Sequence, residues 1–312
     1  MSATRRRPGG QSKSLDVVHR LQQRVAEGEY YEALQLYKTS YSRLKANGKL
    51  DDAEELLTTG AIAMSQENEL NAATELGLLM VTSFEENGRE VDEARLSQLK
   101  RVAEAMTAGV EMSEYLKRAI RWTRHTRLES AYELRLIMAR SALATGNLAE
   151  AARYFAVSGR PKEYASLVRR WSAEGYAGER DLFLCRAVLH ALSFDRTKDA
   201  AVLYDDGAAA ILEDANSSGS DNGPAAEALL NTPICNFTRF LLELCQAKSL
   251  AGAASPEMVS AYGKLRDVYG PSLDRDPHFE ELLNRIGDVQ FDIKPAQPGG
   301  LMGMLGQLMG GM

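Results

Sequence analysis

Gly28-Glu29-Tyr30-Tyr31-Glu32-Ala33, Gly48-Lys49-Leu50-Asp51-Asp52-Ala53 and Asn68-Glu69-Leu70-Asn71-Ala72-Ala73 recur at intervals of twenty residues. A fourth copy, Gly88-Arg89-Glu90-Val91-Asp92-Glu93-Ala94, is one residue looser, and a fifth, Gly146-Asn147-Leu148-Ala149-Glu150-Ala151, follows later. Glycine and asparagine tolerate the left-handed conformation that ends a helix. The large apolar residue then plugs the next helix, and alanine lets neighbouring helices approach closely. The rhythm predicts an all-α protein, a right-handed α-solenoid of tetratricopeptide-like helical hairpins with about fourteen helices. One continuous array is expected over residues 15–293, between a basic tail (1–14) and a Gly/Met-rich tail (294–312).

Composition fits a stacked-helix chain: 45% of residues are hydrophobic and 26% charged, enough to fill a core and wet the outside. The formal charge of −6 is unevenly spread, because residues 1–49 carry +6 and the remainder −12. An acidic partner should therefore prefer the N-terminal end. Arg5, Arg6, Arg7 and Lys13 read as a solvated tail, and the acidic whole argues against nucleic acid. No apolar run reaches eighteen residues and the N-terminus lacks a hydrophobic signal centre, so a cytosolic chain without stable membrane insertion is expected. Cys185, Cys235 and Cys245 are odd in number and lie in apolar helical stretches, which predicts no disulfide framework.

Catalytic signals are missing. His19, His125, His190 and His278 are scattered, without the spacing of a zinc site. His190 and Cys185 lie five apart, off a common helical row, and read as packing residues. Neither GxGxxG, GxxxxGK[ST] nor GxSxG occurs. The expectation is a non-enzyme with no cofactor and no metal. Acidic pairs such as Glu85-Glu86 and Asp51-Asp52 read as solvated helix faces.

Leu50, Ala53, Leu56, Leu57, Ala61 and Met64 form one apolar stripe, which predicts a helix facing its neighbours on one side only, with Asp51, Asp52, Glu54 and Glu55 mostly toward water. Leu182, Cys185, Val188, Leu189 and Leu192, widened by Phe183 and Leu184, predict a helix covered on several sides. Ser255-Pro256 and Asp276-Pro277 read as capped helix starts. Between Lys198 and Arg239 the chain holds seven Asp/Glu and no Lys or Arg, and Asn216 to Pro224 has loop composition. An acidic loop over 205–224 is the candidate docking element. Beyond Lys294, Leu301, Leu305, Leu308, Met309 and Met312 would share a helical face interrupted by glycines. At the other end Tyr30, Tyr31, Tyr37 and Tyr41, with Arg24, Lys38, Arg43 and Lys45, offer aromatic rings beside a basic face.

Three blocks carry a family resemblance. Arg24 to Ala33 resembles the N-terminal signature of the Golgi-to-ER traffic protein four family. Pro233-Ile234-Cys235-Asn236-Phe237-Thr238-Arg239-Phe240-Leu241-Leu242 is similar to that family's Asn-Phe-x-x-Phe-Leu-Leu helix. Tyr269-Gly270-Pro271-Ser272-Leu273-Asp274-Arg275-Asp276-Pro277, with Arg285-Ile286-Gly287, resembles its last-helix signature, and the Gly-Gly-Leu-Met-Gly tail is also similar.

The resemblance implies a cytosolic adaptor in the guided entry of tail-anchored membrane proteins, bridging a ubiquitin-like adaptor and the targeting ATPase. A large chaperone scaffold is a further candidate partner. The N-terminal half (15–158) would bind the ATPase through Lys38 and Arg43, with Arg24 and Tyr30 beside them and Glu75 as a regulatory contact. The C-terminal half (159–293) would bind the ubiquitin-like adaptor through Leu203, Tyr204, Leu230, Pro233, Phe237 and Phe240. The helical rhythm alone equally permits a subunit of a proteasome-lid-like or vesicle-coat assembly.

Overall fold

The computed structural model describes residues 20–294, apart from 22, 127 and 218–229. Among the described residues every regular element is helical, the all-α hairpin architecture that the repeat predicts. The chain divides into two compact units, residues 1–154 and 155–312.

Among the described residues, unit 1 begins with helical residues 20–21 and 23–26, followed by α1 (Tyr30–Ala46), α2 (Leu50–Gln66) and α3 (Leu70–Glu86). Each of the three is 17 residues long. The twenty-residue period is this helix plus a three-residue turn. Gly28, Gly48, Asn68, Gly88 and Gly146 all adopt positive φ. At the α1–α2 turn the Gly48 N–H donates to Lys45 O (3.0 Å) and the Lys49 N–H to Leu44 O (3.0 Å). This Schellman pattern satisfies carbonyls that a helix end would otherwise leave unpaired. Ala33, Ala53 and Ala73 are fully buried, as the repeat requires.

The fourth copy departs from the others. Gly88 closes α3 in the same way, but α4 (Glu93–Ala105) starts later, with Asp92 Oδ1 accepting from the Arg95 N–H at 2.8 Å. Ala94 is consequently exposed, not packed, and Leu96 takes the buried position. Arg89, which follows Gly88 as Lys49 follows Gly48, reaches α2, where its Nε meets Glu54 Oε1 at 3.0 Å and its Nη2 meets Asp51 at 2.6 Å. Glu54 is therefore buried, contrary to the expectation that it faces water. The single-sided reading of α2 also fails, because α2 packs against α1, α3 and α4.

Next come α5 (Val110–Trp122), α6 (Glu129–Ala144) and α7 (Leu148–Phe155), which spans the division. Asn147 caps α7 by accepting from the Glu150 N–H. Packing in unit 1 follows a rule of neighbours: α2 on α3, α2 on α4, α3 on α5, α4 on α6. Ion pairs repeat the rule, with Arg101 on Glu55 at 3.0 Å (α4 to α2) and Lys117 on Glu150 at 2.9 Å (α5 to α7).

Unit 2 is built differently. It comprises α8 (Pro161–Glu174), a 3-10 turn (Ala177–Glu179), α9 (Arg180–Ser193), α10 (Thr197–Ser217), α11 (Pro233–Ala251), α12 (Pro256–Leu273) and α13 (His278–Phe291). Helix α9 packs against α8, α10, α11 and α13, which makes it the central helix that its wide apolar stripe predicts. Leu184, Cys185, Val188, Leu189 and Leu192 are all buried, and each large aliphatic among them contributes roughly 1.5–3 kcal/mol of transfer free energy. Residues 205–217, expected to open the acidic loop, continue helix α10, where Gly207 lets Leu184 of α9 approach; a Cβ there would lie 2.6 Å from Leu184 Cδ1. The remainder of that loop (218–224), like the basic tail and residues 295–312 of the Gly/Met-rich tail, lies outside the described residues.

Ser255 caps α12 as expected, ahead of Pro256. Asp276 serves two purposes: its Oδ1 accepts from the His278 N–H at 3.0 Å, and its Oδ2 accepts from Arg186 Nε of α9 at 2.8 Å. All three cysteines are buried and none forms a disulfide. Burial pushes the Cys245 thiol up to about 12 and raises Cys185 and Cys235 as well, so these sulfurs act as packing atoms. No helix among the described residues is long and apolar enough to cross a membrane.

Candidate partner-binding surfaces

On α1, Tyr37 and Tyr41 are buried, Tyr30 is partly buried and Tyr31 is 70% exposed. Tyr37 fixes the helix against α2 by filling the space left at Gly60, where a Cβ would lie 2.7 Å from the ring. Burial pushes its phenol up to about 12. The next residue, Lys38, points toward α3 and forms an ion pair with Glu75. Two sequence-derived candidates are thus brought together.

The remaining cations of this face are unevenly engaged. Lys45 pairs with Glu86 at 2.9 Å and stands over the Tyr41 ring, and its hydrogen bond to Glu86 raises its pKa. Arg24 pairs with Glu29 across the first turn, away from Lys38. Tyr30 Oη donates to Glu67 Oε2 at 3.3 Å. Arg43 is exposed and makes no ion pair among the described residues. On this face Lys38 and Lys45 are matched by carboxylates two helices on and Arg24 by nearby Glu29, while Arg43 makes no ion pair among the described residues.

Sequence reading missed Glu86 as Lys45's partner. A signal existed: Lys38–Glu75 and Lys45–Glu86 are separated by 37 and 41 residues. Both are close to two repeat periods, so opposite charges two repeats apart mark the parallel helices of successive hairpins.

The unit 2 candidates divide into two groups. Leu203 and Phe237 are buried to within 1% of full burial. Phe237 packs its ring 5.7 Å from that of Tyr269, so both residues serve the core and present nothing to a partner. The apolar period of a helix covered on several sides does not reveal which residues are outermost, and this misplaced them. Tyr204 and Leu230 are partly buried, while Pro233 and Phe240 are exposed. Burial pushes the Tyr204 phenol up. Pro233 occupies the first turn of α11, whose cap is Thr232, accepting from the Cys235 N–H at 3.2 Å. Arg239 lies over the Phe240 ring at 5.0 Å.

Among the described residues no group of His, Cys, Asp and Glu could hold a metal ion. Comparison with known proteins addresses the family directly. A model of the family described as Golgi to ER traffic protein 4 matches residues 47–309. The chain belongs to this family. It is 28% identical to the Golgi to ER traffic protein 4 homolog of Oryzias latipes, covering 99% of this chain and 89% of that protein. The Homo sapiens homolog is also 28% identical, over 97% and 88%. The crystal structure of C. therm. Get4 shares the fold, with a TM-score of 0.73 and 23% identity over 96% of each chain.

The Golgi to ER traffic protein 4 match includes Glu75 and all six unit 2 candidates, and begins after Arg24, Tyr30, Lys38 and Arg43. The segment that resembles the family's last-helix signature has a structural role here. Arg275 Nη1 meets Asp181 at 3.2 Å, Asp276 meets Arg186, and Arg285 stacks 3.9 Å above the Phe194 ring. These contacts close unit 2 onto α9.

Proposed function

We propose that this chain is a cytosolic adaptor in the guided entry of tail-anchored proteins to the endoplasmic reticulum, and that it positions partners without catalysing a reaction. Unit 1 binds the targeting ATPase through Lys38 and Arg43, flanked by Arg24 and Tyr30. Unit 2 binds the ubiquitin-like adaptor through Tyr204, Leu230, Pro233 and Phe240. The family match over residues 47–309 carries this reading.

The α1 face supports a specific mechanism. Lys38 is held by Glu75 in a pair whose acidic side chain is 51% exposed, and exposed pairs are worth only about 0–1 kcal/mol. An incoming carboxylate from the ATPase can displace Glu75 at little cost, while Arg43 accepts a second carboxylate without first breaking a pair. Glu75 thus shields Lys38 in the free chain and tunes the affinity. Holding both partners on one chain raises their effective concentration for client handover.

The test is a titration of the ATPase against Lys38→Glu/Arg43→Glu. Reversing both charges should weaken binding by roughly 3 kcal/mol, about a hundredfold, and leave adaptor binding unchanged. Wild-type ATPase affinity in that variant would overturn the assignment of this face.

A further inference from the structure

Between α11 and α12 lies an open groove of about 480 Å³ lined by Phe240, Leu244, Leu265, Val268 and Tyr269. Val268 is 72% exposed and Phe240 38%. Among the described residues, the charged side chains lining the groove are Glu243 and Lys264. We infer that the chain's own C-terminal segment, residues 301–312, folds back in cis and lays an apolar helical face into this groove.

Reach, charge and pattern each point to that occupant. Helix α13 ends at Phe291, whose ring stacks on Tyr262 of α12 at 4.7 Å between centroids. The Ile293 N–H then turns back onto Gly287 O at 2.9 Å. Tyr262 follows Ala261 and precedes Leu265 by less than one turn, and both of these line the groove. The chain therefore leaves unit 2 on one side of α12 with the groove on another, separated by a helix about 10–12 Å across. Residues 295–300 span up to ~20 Å when extended, which is sufficient.

Residues 295–312 contain no Asp, Glu, Lys, Arg or His, so the segment carries no side-chain charge into a mostly apolar cleft. Leu301, Leu305, Leu308, Met309 and Met312 fall on one face at helical spacing. Gly303, Gly306, Gly310 and Gly311 disfavour that helix in isolation, which couples its folding to docking. Methionine adapts to irregular apolar surfaces, as an open groove requires. Phe240 belongs both to this groove and to the adaptor surface proposed above. The resulting competition between tail and adaptor rests on that proposal, whereas the docking itself does not.

The experiment places the photocrosslinker p-benzoylphenylalanine at position 268 of the full chain, alone in solution, and locates the crosslinks by mass spectrometry. The expected products join position 268 to residues 301–312 within one chain, at a yield independent of protein concentration. Leu305→Asp/Leu308→Asp should reduce that yield by roughly tenfold or more, since a carboxylate cannot enter an apolar groove unpaired. Circular dichroism of the same sample verifies that its helices are intact. Crosslinks that miss 301–312, or a yield that falls on dilution because a second copy supplies the tail, would overturn the inference.

Discussion

In unit 1 the packing described above joins helices one or two places apart in the chain, while in unit 2 the Arg186–Asp276 pair joins α9 to a residue ninety positions later. The first arrangement grows by addition, and its energetics should approach a sum over neighbours. The second closes around a central helix, so α8 to α13 should stand or fall together. This difference also suits the proposed division of labour. A neighbour-by-neighbour stack can present an ion-paired face whose contacts rearrange locally, and a closed unit can hold a docking surface in fixed geometry.

The largest expected effect comes from opening the closure of unit 2. Asp276 is 4% exposed, and Asp276→Ala removes Arg186's partner together with the acceptor for the His278 N–H. The cost should be roughly 3 kcal/mol, the low end for a broken buried pair, because Arg186 keeps some access to water. Hydrogen exchange should show α9, α11 and α13 losing protection together while α2 and α3 keep theirs. Loss confined to α13 would mean that unit 2 is as modular as unit 1.

A smaller effect is expected from Gly60→Ala in unit 1. The added Cβ would press on the Tyr37 ring at 2.7 Å, and overpacking of this kind costs about 1–3 kcal/mol. Protection should fall in α1 and α2 and remain at wild-type levels in α5 and α6. A loss spread evenly through unit 1 would contradict the neighbour rule.

The smallest effect is pH-dependent. Burial opposes ionisation of Asp276, but hydrogen bonds from Arg186 and the His278 N–H, with the Arg186 charge, outweigh it and hold the carboxyl below its ordinary value. The resulting stabilisation is complete above the unfolded-state value, about 3.9, and is lost as pH falls through the lower folded value. Acid titration followed by hydrogen exchange should show this step in unit 2, and Asp276→Asn should remove it. A step that persists in that variant would assign it to another group.

The same contrast explains what could be read from the sequence. Gly28, Gly48, Asn68, Gly88 and Gly146 were legible because a left-handed turn selects glycine or asparagine, and the turns recur at a fixed or recognisable spacing. Asp195 and Asp292 also adopt positive φ, yet they sit outside the repeat, and aspartate alone does not announce a turn. Glu54 was misread because its partner Arg89 lies 35 residues on, at the turn that closes α3. Leu203 and Phe237 were misplaced because unit 2 buries helices on several faces, so apolar spacing loses its direction. Lys38 and Arg43 were legible as cations, but the Lys38–Glu75 pairing needed the positions of two parallel helices.

The most direct measurement is the stoichiometry of a mixture of the full chain, the targeting ATPase and the ubiquitin-like adaptor, followed by sedimentation. Simultaneous bridging predicts one species containing all three proteins, reduced in Lys38→Glu/Arg43→Glu to the chain with the adaptor alone. Two binary complexes that exclude each other would contradict the two-surface account.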